Sequence, residues 1–112
     1  MSALGESVRV VVGLLVTEEW ELLGRLTEGS RMSVDDIRAV VDDYGRTLVL
    51  PPPKVYDGLD AIEVRNAPKR TFNIRFPLWT EEEGRSDLEL VLTAVDFAEG
   101  LWTIHVDSVL VP

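Results

Sequence analysis

His105 is the only histidine in the 112-residue chain and stands two residues from Asp107. On a strand that spacing puts both side chains on one face, roughly 6–7 Å apart. A carboxylate beside an imidazole can fix its tautomer, which makes His105 and Asp107 a candidate acid/base pair. Catalysis would also need a nucleophile or a substrate pocket beside them. No serine is singled out by a GxSxG turn, and no GxGxxG or Walker sequence is present to cradle phosphate. An outward strand face more often meets solvent or a second subunit, so the expectation is a non-enzymatic protein.

Metal chemistry is poorly provided for. There is no cysteine, which removes thiolate zinc sites, iron–sulfur clusters, cysteine nucleophiles and disulfides together. Asp57, Asp60 and Glu63 have a loose oxygen-ligand spacing without the dense Asp/Asn/Gly pattern of a calcium loop. The consecutive Glu81, Glu82 and Glu83 cannot all converge on one ion. No metal and no cofactor is expected.

Charge points to a different class of partner. Twenty acidic residues against eleven basic ones leave a net charge of −9. Such a chain lacks the Lys/Arg surface that displaces counterions from nucleic acid or binds an anionic membrane. A basic protein is the partner it would attract. Asp42 and Asp43 lie in the last turn of a predicted helix, where the helix dipole disfavours negative charge. Glu81, Glu82 and Glu83 follow Trp79, an aromatic residue outside the alternating pattern of the strand before it. Tryptophan beside a charged loop is enriched at protein contacts. Asp42, Asp43, Trp79 and Glu81 to Glu83 are therefore the candidate partner-binding residues.

The elements that must position these residues are legible from periodicity. Leu4, Val8, Val11, Val12, Leu14 and Leu15 recur at helical steps. Thr17 is predicted to cap a second helix carrying Trp20, Leu22, Leu23 and Leu26. Ser33, followed by Asp35 and Asp36, caps a third that carries Ile37, Val40, Val41 and Tyr44 and stops at Gly45. Thr47–Leu50 reads as a short strand ended by three prolines. Tyr56–Asp60 reads as a loop, and Ala61–Arg65 as a further short strand.

Phe72, Ile74, Phe76 and Leu78 then alternate with polar residues, as a half-buried strand does. Leu88, Leu90, Leu92 and Ala94 form one face of the next strand. After a hairpin over Asp96–Gly100, Trp102, Ile104, Val106 and Leu110 are expected to face the core of the last. Helices followed by strands predict an α+β domain spanning residues 1–112. Two or three N-terminal helices should pack on a curved antiparallel sheet of about four strands.

Two stretches, Asp43-Tyr44-Gly45-Arg46-Thr47-Leu48 with Pro51–Pro53 and Pro77-Leu78-Trp79-Thr80-Glu81-Glu82-Glu83-Gly84-Arg85-Ser86-Asp87-Leu88, resemble a family of short bacterial domains of unknown function, of actinobacterial type. The resemblance runs from about residue 30 onward and implies a source without implying a chemistry. The element order looks cystatin-like or NTF2-like. A cone of that kind can hold a pocket, which keeps open a second function: binding or turnover of a small molecule lined by Phe72, Phe76 and Trp102. The first remains an immunity- or chaperone-like module that binds a basic protein, with a homodimer through the last strand compatible with it. The start of the chain lacks a secretion signal, and a cytoplasmic location is expected.

Overall fold

In a computed structural model that describes residues 2–112, three helices precede the sheet: α1 (Ala3–Val16), α2 (Trp20–Leu26) and α3 (Val34–Tyr44). Ser2 caps α1 by accepting the Gly5 N–H at 3.0 Å. Ser33 caps α3 by accepting the Asp36 N–H at 3.1 Å. Gly45 closes α3 in the left-handed conformation, φ 71°, where a β-carbon would be unfavourable. The cap expected at Thr17 is not formed. Its hydroxyl turns back to the Gly13 carbonyl at 2.9 Å, so Thr17 ends α1, and Glu18 at φ 57° breaks the chain before α2. No described helix is long and apolar enough to cross a membrane.

The strands are β1 (Leu48–Val49), β2 (Asp60–Glu63), β3 (Thr71–Thr80), β4 (Gly84–Ala98) and β5 (Leu101–Leu110). The sheet has five strands rather than about four, and every pairing is antiparallel. β3 is flanked by β4 on one side, and on the other by β1 against Trp79–Thr80 and β2 against Phe72–Arg75. β5 pairs only with β4, at the opposite edge.

The helices cover one face of this sheet. Val8, Val11, Val12 and Leu15 of α1 meet Leu23, Ile37 and the inward residues Ile74, Phe76, Leu88, Leu90 and Leu92 in one core. Two features of that core depart from the expectation. The segment after the prolines is a 3-10 turn, Pro53–Gly58, that drops Tyr56 into the core beside Phe76, 5.3 Å between ring centroids. A register shift after Val91 also changes which end of β5 points inward: Val109 is buried and Leu110 is exposed. A bulge inserts one residue and so reverses the alternation beyond it.

Candidate functional site

The acidic loop is tied to the rest of the chain. The Glu82 carboxylate accepts the Thr47 N–H at 2.9 Å and the Thr47 hydroxyl at 3.0 Å. Glu83 accepts the Tyr44 hydroxyl at 2.8 Å and Nε of Arg46 at 3.2 Å. The Glu81 N–H donates to the Thr47 carbonyl at 2.8 Å. These bonds staple the β3–β4 turn to the α3–β1 connection. The Thr47 amide, together with Glu82's own backbone, holds the Glu82 carboxyl below its ordinary value. Burial, and then the bond to Glu83, push the Tyr44 phenol up.

The six residues expected to bind a partner thus fall on one end of the molecule but in different states. Glu82 and Glu83 are engaged within the fold. Glu81 and Asp43 are exposed. Asp42 is an exposed partner of Arg38 at 3.8 Å. Trp79 is half-buried between Val49 and Arg85, its Nε1 buried without a partner among the described residues.

His105 and Asp107 lie on the outer face of the sheet but are not joined. Oδ2 of Asp107 accepts the Thr93 hydroxyl at 2.6 Å, and Oδ1 lies 3.9 Å from Nε of Arg31. A shallow cleft of about 340 Å³ beside them is lined by Arg31, Asn73, Arg75, Thr93 and Asp107. His105 instead packs on Gly29, with Nδ1 buried and without a partner among the described residues. Asp57, Asp60 and Glu63 are not drawn into a metal-binding group among the described residues.

The three proposed pocket residues are packed against neighbours. Phe76 stacks on Tyr56, and Phe72 meets Trp102 at 5.7 Å with tilted rings. Trp102 does line a cleft, at the edge of the molecule rather than in a cone. Its volume is about 150 Å³, and its walls are Ser7, Val10, Val11, Leu26, Trp102 and Ile104. Val10 and Leu26 are about half exposed, at 50% and 49%. Val10 was discoverable: it is an apolar residue outside the inward stripe of its helix.

This cleft adjoins the free edge of β5. The Val106 N–H donates to the Ser30 hydroxyl at 2.8 Å, and the Val106 carbonyl accepts the Met32 N–H at 3.2 Å. Val106 therefore points its backbone away from β4. In an antiparallel ladder the direction alternates, so Ile104 and Trp102, in the same register with Ala94 and Asp96, present their N–H and C=O groups outward as well. The loop after α2 packs on His105 and covers Val106, leaving the outward backbone groups of Trp102 and Ile104 open.

A family model described as a domain of unknown function, DUF7668, matches residues 12–112. The chain belongs to that family. The match takes in every strand, α2, α3 and the last turn of α1, and so includes the acidic staple and the β5 edge. No curated protein and no solved structure matches the chain. The family assignment carries no activity.

Proposed function

We propose that the protein is a non-enzymatic protein-binding module whose docking surface is the open edge of β5 and the apolar cleft beside it. The observation that supports this is the unpaired backbone of Trp102 and Ile104 next to a cleft with no charged wall. An exposed strand edge is a template for another strand, and natural proteins usually blunt it with charge, proline or a covering loop. Here the loop after α2 covers His105 and Val106 and stops short of Ile104. Strand addition would use main-chain hydrogen bonds for affinity and the cleft for an alternate side chain.

The acidic surface fits the same role as a steering field. Residues 18–43 hold eight acidic and three basic residues, so over half of the net charge of −9 sits on this part of the helix layer. A basic partner would be drawn in faster at low salt. An immunity- or chaperone-like task is the class of function this describes. A core pocket for a small molecule has less to support it, because Phe72 and Phe76 are taken up by Trp102 and Tyr56.

The test compares wild type with Leu26→Lys, a substitution at a half-exposed cleft wall, as baits at equal density in the same cell lysate. Proteins retained by wild type should be depleted on the variant. Equal retention on both would rule out the β5 edge as the docking surface.

A further inference from the structure

We infer that the occupant of this edge is a second copy of the same chain, with β5 paired antiparallel to β5 about a two-fold axis at Thr103. The inference rests on the protein-binding reading of the same edge and names its partner.

The open backbone groups are those of Trp102 and Ile104, bounded on one side by the hairpin at Gly100 and on the other by the loop that packs on His105 and covers Val106. Thr103 lies midway between them. Pairing about Thr103 sets Trp102 against Ile104 of the second copy and Ile104 against its Trp102. These are the residues whose N–H and C=O groups point outward. A closed two-fold contact needs such self-complementarity, with each residue meeting the mate of its own mate. Any other centre would push one chain into the covered segment or past the hairpin.

The surface next to the edge makes the same choice of partner. Val10 of α1 and Leu22 and Leu26 of α2 are exposed apolar residues of the helix layer, at 50%, 43% and 49%. Leu22 and Leu26 are one turn apart and share a helix face. A lone extended peptide would occupy the strand edge and leave this stripe in water. An occupant with a strand edge and an apolar helix flank beside it covers both layers, and this chain has that construction. The cleft walls carry no charge. A basic segment would find no counter-charge within the cleft itself, whereas an apolar flank like that of Val10, Leu22 and Leu26 would fit it.

Thr103 also supplies a direct probe. Its own N–H and C=O face β4, so Thr103 and its symmetry mate form a non-hydrogen-bonded pair, the closer kind, with Cα atoms about 4.5 Å apart. That separation lies within the range a disulfide spans. The chain has no cysteine, so Thr103→Cys introduces a single thiol.

Under mild oxidation Thr103→Cys should convert almost wholly to a covalent dimer at low micromolar concentration. Thr71→Cys, on the outer face of β3, should stay largely monomeric. Sedimentation of the wild-type chain should show a reversible dimer that Leu26→Lys weakens about tenfold or more. Because each copy carries −9, added salt should strengthen the dimer by screening repulsion. A monomeric wild type at about 100 µM, equal cross-linking of both cysteine variants, or a dimer weakened by salt would each overturn the inference. If wild type stays monomeric while the lysate comparison still shows depletion on Leu26→Lys, self-pairing falls and binding of another protein at this edge stands.

Discussion

The imidazole of His105 occupies the space that a side chain on Gly29 would need. A β-carbon on Gly29 would lie 3.1 Å from Cε1 of His105, and Gly29 sits at φ +88°. Glycine there lets the loop after α2 pass close enough to bond Val106 through Ser30 and Met32. Gly29→Ala should therefore cost about 1–2 kcal/mol for the left-handed backbone alone, with a further cost for the contact. Adding His105→Ala should recover the contact part and not the backbone part. Urea denaturation of both single variants and the double variant would show this as a coupling between the sites. Simple additivity would mean the two residues do not press on each other.

Two hydroxyls with the same apparent role in the sequence separate in the structure. Ser33 accepts the Asp36 N–H and caps α3, whereas Thr17 bonds back to Gly13 and to Glu19. Ser33→Ala should lose about 1 kcal/mol, the usual worth of a cap. Thr17→Ala should lose about half of that or less, since its bonds are exposed and replaceable by water. Chemical denaturation of the two variants decides it. A larger loss at Thr17 would reverse the assignment of the caps.

Much of the architecture could be read because it is local. The alternation of Phe72, Ile74, Phe76 and Leu78 places one face of β3 in the core, and three of these are essentially unexposed. Ser33 and Gly45 bound α3 through bonds made within a few residues. What escaped the sequence is long-range or displaced by one residue. The bulge in β4–β5 exchanges Leu110 for Val109 as the buried residue. Tyr56 enters the core from a segment, Tyr56–Asp60, that reads as a loop.

The candidate site divides in the same way. That Glu82 and Glu83 bond to Thr47 and Tyr44 joins residues 35 and 39 positions apart, which no spacing rule detects. The free edge of β5 follows from strand order alone. Val10 could have been flagged as the apolar residue off its stripe, but only the fold sets it beside Leu26 and Trp102.

The acidic staple should make stability depend on pH in a defined window. Glu82 is held below its ordinary value of 4.5 by its bonds to Thr47 and its own backbone. The folded state therefore binds the Glu82 proton less readily than the unfolded chain. The resulting stabilisation is present above about pH 4.5 and is lost as pH falls through the lower folded value. Glu82→Gln should lower stability at neutral pH and flatten its fall in that acid window, with the other carboxylates unchanged. Parallel acid-side slopes for wild type and variant, measured by urea midpoints, would mean that the carboxylate charge is not what holds the turn.

Tyr56 tests what its aromatic stacking is worth apart from its hydroxyl. The side chain is 2% exposed, stacks on Phe76, and has no partner for its oxygen among the described residues. Burial pushes its phenol up, only partly offset by Arg9. Removing an unpartnered buried hydroxyl recovers its desolvation cost, so Tyr56→Phe should be neutral or stabilising by up to about 1 kcal/mol. Phe76→Ala removes the other ring and should cost about 3–5 kcal/mol through lost burial and the cavity left behind. The contrast separates two roles for the prolines before Tyr56. If the ring alone matters, the 3-10 turn serves to plug the core between α1 and β3. A loss above about 1 kcal/mol in Tyr56→Phe would instead show that the oxygen is bonded in solution, and the turn would then be organised around a buried polar contact.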